Sequence, residues 1–143
     1  MRWMVLGVSA LCLSVAAGCG PDDPLRKETF RVTGKVTVDG QAPLAAVQIE
    51  AHNVAGMDAQ MPTLSQCETN PDGTFEITTY VTGDGIPAGD YLLTFSCSEF
   101  NAMARSYGPD KLNKRYSNPK TSEIKFTIKD KSVDLGEIKL TTK

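Results

Sequence analysis

The chain has 143 residues, which is enough for one domain with a single hydrophobic core. Its 15 Lys and Arg residues nearly balance 17 Asp and Glu residues, and this charge argues against a nucleic-acid partner. The sequence has a single histidine, His52, and no C-x-x-C pair, so a zinc site is not expected. We therefore predict no metal site and no cofactor.

The first residues have the layout of a secretory signal. Arg2 precedes an uncharged apolar run from Met4 to Ala17, and small residues end it. The run of about 14 residues is shorter than the roughly 20 that a membrane-spanning helix needs. Its end, AAGC, resembles a bacterial lipobox, in which the cysteine is acylated and becomes the new first residue. The resemblance predicts a lipoprotein signal peptide over 1–18 and lipidation of Cys19. An ordinary signal-peptidase cut after Ala17 is the alternative.

Residues 19–29 connect this signal to the domain. Their sequence is rich in Pro, Gly and charged residues, which do not pack into a core, so a flexible tether is expected. Gly20 follows the cysteine, at the position where Asp would resemble an inner-membrane retention signal. We therefore expect an exported protein that is lipid-anchored in the cell envelope, in the outer membrane and facing the periplasm or the cell surface.

Residues 30–143 contain short runs in which apolar and polar side chains alternate, as in strands that bury one face. The runs are FRVTGKVTV (30–38), VQIEAHN (47–53), TLSQCET (63–69), TFEITTYV (74–81), DYLLTFSCS (90–98), EIKFTIKD (123–130) and VDLGEIKLT (133–141). Seven short strands predict an all-β fold with two packed antiparallel sheets, a β-sandwich.

Turn residues separate several of these runs. Asp39 and Gly40 end the first run. The sequence TNPDGTF predicts a tight hairpin from Thr69 to Phe75, because Pro presets φ and Gly supplies positive φ. Gly136 interrupts the alternation of the last run, which predicts an irregular strand there.

An insertion at about 99–120 is the longest stretch without strand alternation. Long loops on a compact domain are where binding function tends to lie. The candidate binding surface in it consists of aromatic and basic side chains: Arg105, Tyr107, Lys111, Lys114, Arg115 and Tyr116. Because the chain before it is acidic, these residues predict an anionic envelope component or protein as partner. A solvated loop whose aromatic side chains cap the core is the alternative.

Two cysteines remain after processing. Cys12 leaves with the signal peptide and Cys19 takes the lipid, so Cys67 and Cys97 stay in the domain. An oxidising compartment favours a disulfide between them. Two buried free thiols are the alternative, because a disulfide needs Cα atoms within about 7 Å of each other.

Three segments resemble the carboxypeptidase regulatory-like, or transthyretin-type, domain family. They are VTGKVTVDGQAPLAAVQIEA (32–51), TNPDGTFEI (69–77) and GIPAGDYLLTF (85–95). The resemblance covers about residues 31–97, and the insertion resembles that of short bacterial lipoproteins carrying this domain. It implies a seven-stranded, Ig-like, antiparallel Greek-key sandwich with a structural or binding role. The hydroxyisourate hydrolases of this fold use several histidines, whereas this chain has only His52, so we expect no enzyme.

The sequence thus predicts a non-catalytic, membrane-anchored envelope lipoprotein that acts as a structural or protein-interaction module. The alternative is a small-ligand or glycan-binding sandwich that uses the 99–120 insertion. Exposed rings of Tyr107 and Tyr116 lying side by side would favour that alternative.

Overall fold

The computed structural model describes residues 26–143, so the predicted signal peptide and Cys19 lie outside the described residues. The described chain is all β apart from one 3₁₀ turn at Pro119–Thr121, and none of its helices is long and apolar enough to span a membrane. The strands are β1 (Thr29–Phe30), β2 (Val32–Val38), β3 (Gln48–Asn53), β4 (Ser65–Glu68), β5 (Thr74–Glu76), β6 (Ile86–Pro87), β7 (Gly89–Ser96), β8 (Phe100–Asn101), β9 (Ser106–Tyr107), β10 (Lys125–Ile128) and β11 (Val133–Leu140). The predicted all-β class is confirmed.

Two larger sheets cover one core. The first contains four strands in the order β10-β7-β3-β4, and all its neighbouring pairs are antiparallel. The second contains β11-β2-β5, in which β2 and β5 are antiparallel but β11 runs parallel to β2. The prediction of purely antiparallel sheets is therefore wrong at β11. The chain reaches β11 by crossing from β10 in the other sheet, and such a crossover, unlike a tight hairpin, permits parallel pairing.

Alternation along the strands decides which side chains enter the core. Val32 and Val36 of β2 and Ile49 of β3 are fully buried. Leu93 and Phe95 of β7 are almost fully buried. Each burial of a large apolar side chain stabilises the fold by roughly 1.5–3 kcal/mol. These inward sets are those that the period-2 pattern predicts.

The turn that follows β4 departs from the predicted hairpin. Gly73 adopts a φ of 85°, and its N–H donates to the carbonyl of Asn70 at 2.9 Å, so the predicted turn is present. However, β4 pairs with β3 and β5 pairs with β2, so the turn carries the chain from one sheet to the other. A Cβ on Gly73 would lie 2.2 Å from the Val36 carbonyl oxygen, which leaves no room for another residue.

Two other local predictions can be compared with the structure. The irregularity in β11 is confirmed, since its register shifts between Asp134 and Glu137 and Gly136 adopts positive φ. The predicted strand 74–81 is too long, because β5 ends at Glu76. The amides of Ile77 and Thr78 still donate to the Val32 and Gln66 carbonyls, and the next three amides donate to the side chain of Asp84 instead of to a strand.

The strands run between two ends of the sandwich. Lys27 lies at the end where Asn53 of β3 pairs with Tyr91 of β7, and its Nζ donates to Asp58 at 2.6 Å. We name this the tether end, and its loops are 54–64, 79–85 and 129–132. The opposite end, which we name the distal end, carries 39–45, 97–116 and 141–143.

Candidate functional site

The insertion at the distal end begins with a small hairpin. In β8 and β9, Phe100 pairs with Tyr107 and Asn101 pairs with Ser106. The Asn101 side chain closes the turn, because its Oδ1 accepts hydrogen bonds from the amides of Met103 and the next residue, each at 3.0 Å. An Asn side chain that caps its own turn in this way fixes the hairpin locally.

Asp110 fastens the insertion to the four-stranded sheet. One carboxylate oxygen accepts from the amides of Cys97, at 2.8 Å, and Leu112, at 3.0 Å. The other accepts from the amide of Lys114 at 2.9 Å. Charge-assisted hydrogen bonds of this kind are stronger than neutral ones. Asp110 therefore holds the insertion on the end of β7.

Two side chains anchor the insertion in the core. Leu112 is only 1% exposed and belongs to the hydrophobic core. Tyr116 is half-buried, with its ring edge-on to Phe95 at a centroid distance of 6.5 Å, and its carbonyl accepts from the Phe95 amide at 3.0 Å. The insertion is therefore a folded part of the domain.

The two tyrosines of the candidate surface lie in different surroundings. Tyr107 is 60% exposed, and its ring packs on Phe100 at 5.2 Å. Tyr116 packs on Phe95, and the Arg115 guanidinium lies 5.9 Å from its ring centroid. They do not form a side-by-side pair of exposed rings.

The basic residues of the candidate surface also divide into two groups. Lys111 forms an ion pair with Glu99, and Arg115 donates to the carbonyl of Lys143 and to Thr141. Lys111 therefore pairs within the insertion, and Arg115 links the insertion to the C-terminal residues. Arg105 and Lys114 are exposed and form no ion pair within residues 26–143. We find the uncompensated positive charge of the predicted surface on these two residues.

Exposed apolar side chains at the distal end were not part of the predicted surface. Leu44 is 96% exposed, Met103 97% and Phe100 58%. With Tyr107 they form what we name the distal apolar set. Of this set, Leu44 also lines a depression of about 180 Å³ together with Cys97 and Leu112, a size that accommodates one benzene-sized group. Apolar residues in a segment without strand alternation are the sequence signal that marks such positions.

The predicted disulfide between Cys67 and Cys97 is wrong, because both thiols are free. Cys67 pairs with Ile49, whose neighbour on the other side is Phe95, two residues before Cys97. Two inter-strand spacings amount to about 9–10 Å, which exceeds the limit of about 7 Å between bonded Cα atoms. Burial raises the pKa of Cys67 to about 12 and also raises the pKa of Cys97, so neither thiol is activated as a nucleophile.

At the tether end, the first described residues are bound to the domain. Lys27 donates from its amide to the Tyr80 hydroxyl at 3.2 Å and from Nζ to Asp58. The Arg26 guanidinium lies 5.5 Å from the Tyr80 ring centroid. The Lys27 ammonium lowers the pKa of Asp58 to about 2. The chain therefore enters the domain at a defined position.

The single histidine lies on the outer face of the four-stranded sheet. His52 Nε2 is 2.8 Å from Thr94 Oγ1 and 3.7 Å from Glu50 Oε2. In a nucleophile–histidine–carboxylate relay the two ring nitrogens serve different partners, whereas here one nitrogen faces both. Within the described part of the chain, no group of three or more His, Cys, Asp or Glu residues has an arrangement that could hold a metal ion.

Comparisons with known proteins give no family. No family model and no curated protein matches the chain. One solved structure that is similar to it is a 9R-lipoxygenase from Cyanothece PCC8801, with 15% sequence identity and a TM-score of 0.38. The match covers 83% of this chain but spans only 17% of the lipoxygenase. This likeness is too distant to assign a fold family or an activity.

Proposed function

We propose that this protein is an exported lipoprotein, anchored in the outer membrane through acylated Cys19, whose β-sandwich is a non-catalytic protein-interaction module. We further propose that the sandwich is the seven-stranded Greek-key type of the carboxypeptidase regulatory-like family. The observation that carries the proposal is the position of the insertion. The chain enters at one end of the sandwich, and the insertion lies at the other.

This arrangement directs the insertion away from the anchor. Lys27 is tied to the tether end by Asp58 and Tyr80, so a lipid at Cys19 holds that end towards the membrane. The distal end then faces the aqueous compartment, where an envelope protein can reach it.

The chemistry of the distal end suits a protein partner. Aromatic side chains, Met and Arg are enriched at protein interfaces, and Tyr and Arg are frequent among the residues that dominate binding energy. Here Phe100, Met103 and Tyr107 are exposed beside Arg105. Because Arg105 and Lys114 form no ion pair with another described residue, we expect a partner with an apolar centre and an acidic rim. Asp110 and Leu112 support this surface from below, which lowers the ordering cost of binding.

Other functions receive less support. A glycan or small-ligand site on the insertion would be favoured by paired exposed rings, and Tyr107 and Tyr116 each pack on a different ring. For catalysis, His52 is the single histidine of the chain, and its contacts with Thr94 and Glu50 lack the relay geometry. The raised pKa values of Cys67 and Cys97 argue against a thiolate nucleophile.

The anchor can be tested by Cys19→Ala. Two or three acyl chains, at about 0.8 kcal/mol per buried CH₂, make membrane attachment effectively permanent. We expect the wild type to float with membranes after a high-salt wash and Cys19→Ala to stay in the soluble fraction. A wild-type protein that is already soluble would contradict the anchor.

The interaction surface can be tested with a matched pair of tyrosines. Tyr107 at the distal end and Tyr80 at the tether end are each replaced by a photoreactive phenylalanine analogue, and the envelope is irradiated in living cells. We expect one protein adduct of defined mass at position 107 and none at 80. The adduct should disappear when Arg105→Glu and Lys114→Glu are added. Adducts at 80 but not at 107, or none at either position, would contradict a distal interaction surface.

A further inference from the structure

The tether end also exposes large apolar side chains. Val54 is 60% exposed, Met57 68%, Leu64 56% and Val81 57%. We name these four the tether-end apolar set. Single exposed apolar residues are common on protein surfaces, but contiguous groups mark contact surfaces. These four account for half of the exposed large apolar side chains in residues 26–143.

The four residues lie on two loops, 54–64 and 79–85, next to the place where the chain enters the domain. Met57 and Leu64 line a depression of about 270 Å³ together with Lys27. The Val54 amide donates to the Asp90 carbonyl at 2.8 Å, which holds it beside the start of β7. Val81 follows Tyr80, whose hydroxyl accepts from the Lys27 amide.

The length of chain before the described residues limits how far this end can lie from the anchor. Seven residues, 19–25, precede Arg26 when Cys19 is the first residue of the mature chain. Fully extended, they span at most about 25 Å at 3.3–3.6 Å per residue. The eight residues of β7 cover a similar distance along the sandwich. The tether thus keeps the tether end within about 25 Å of the bilayer, so the two ends of the domain cannot both lie far from it.

We propose that the tether-end apolar set rests in the interfacial region of the bilayer that holds the lipid of Cys19, so that the domain stands on this end. The inference rests on the proposed function, because it requires the acyl anchor. A lipid surface is the occupant that the tether itself brings to this face. Apolar side chains that enter the boundary between headgroups and acyl chains add to the attachment made by the anchor.

Several of the charges around this set are compensated within the protein. Lys27 pairs with Asp58, and Arg31 pairs with Glu76. The carboxylate of Asp84 accepts from three backbone amides at 2.8–3.1 Å. Compensated charges lose less on approaching a low-dielectric surface than bare charges do. Asp58, Glu76 and Asp84 therefore do not bring unpaired carboxylates to the membrane surface when this end approaches it.

The adjacent loop 129–132 adds positive charge. Lys129 and Lys131 are exposed there on either side of Asp130, and neither lysine forms an ion pair among the described residues. Basic residues close to an anionic leaflet are attracted to it. This loop therefore favours the same orientation as the apolar set.

A matched pair of methionines tests the orientation. Trp3 is the only tryptophan of the chain and lies in the predicted signal peptide, so Met57→Trp and Met103→Trp each carry a single Trp after processing. The lipidated variants are reconstituted into vesicles of phosphatidylcholine and phosphatidylglycerol, with and without brominated acyl chains. We expect Met57→Trp emission to shift to the blue and to fall by about half or more with brominated lipid. Met103→Trp should keep the emission of a Trp in water.

Each other outcome overturns the inference in a recognisable way. If neither variant floats with vesicles, the anchor and the inference fail together. If both float and neither is quenched, the inference fails while the anchor stands. Quenching of Met103→Trp instead of Met57→Trp would show that the distal end, not the tether end, contacts the bilayer. A blue shift of Met57→Trp without quenching would mean that protein, not lipid, covers the set. Val81→Trp, on a separate loop, repeats the measurement if Met57→Trp lowers the unfolding midpoint.

Discussion

The two ends of the sandwich resemble each other in outline and differ in how they are held. At each end the carboxylate of one aspartate accepts hydrogen bonds from three backbone amides. This residue is Asp84 at the tether end and Asp110 at the distal end. The contacts of Asp84 are local, because the amides that donate to it belong to residues 79–81 of the same loop. Asp110 reaches back to Cys97 at the end of β7, and its neighbour Leu112 enters the core.

This difference bears on what each end can bind. The loop 54–64 contributes no buried residue, so it can adapt its shape without disturbing the core. A fluid bilayer requires no fixed shape from its partner, and a compliant loop suits it. A protein partner is bound best by a preorganised surface. The anchored insertion meets that requirement, whereas the tether-end loop does not.

The largest expected effect comes from removing the core anchor of the insertion. We expect Leu112→Ala to lower the free energy of unfolding by about 3 kcal/mol, because truncating a buried Leu leaves a cavity. Denaturant unfolding measures the change. Met103→Ala is the control, and with its side chain 97% exposed it should stay within about 0.5 kcal/mol of wild type. A loss below about 1 kcal/mol for Leu112→Ala would remove the contrast between the two ends.

Replacing either aspartate should lower the free energy of unfolding by a similar amount, but the two replacements should affect different numbers of distant amides. Asp110→Ala and Asp84→Ala should each cost about 2 kcal/mol, since each leaves amides without a charged acceptor. Amide hydrogen exchange distinguishes them. Asp110→Ala should increase exchange at Cys97, Leu112 and Lys114, and thus at the end of β7. Asp84→Ala should affect only 79–81. If both replacements increased amide exchange equally far from the mutated residue, the proposed difference between the two ends would be wrong.

The smallest effect is expected at the exposed Lys27–Asp58 pair. The pKa of Asp58 is lowered from 3.8 to about 2, so its contribution is present above about pH 4 and is lost as pH falls through 2. The pKa of Lys27 is raised from 10.5, so its contribution is lost only as pH rises above that value. A carboxyl NMR titration should find Asp58 near 2, and Lys27→Met should return it towards 3.8. A wild-type value of 3.8 would show that Lys27 is not held there.

Local patterns in the sequence were sufficient for the longer strands and for several turns. The inward residues Val32, Val36, Leu93 and Phe95 follow from alternation, because a strand places neighbouring side chains on opposite faces wherever it lies. The irregularity at Gly136 likewise follows from its immediate neighbours. The anchored character of the insertion was harder to predict, since Leu112 is one apolar residue in a polar segment.

The sequence by itself thus determined the all-β class, the positions of the longer strands and several turns, because these depend on residues within a few positions of one another. The tertiary structure alone decided that β11 runs parallel to β2, that β3 separates Cys67 from Cys97, and that Glu99 neutralises Lys111. Sheet order, thiol distance and ion pairing depend on which distant segments become neighbours, and the same alternation is compatible with several such arrangements.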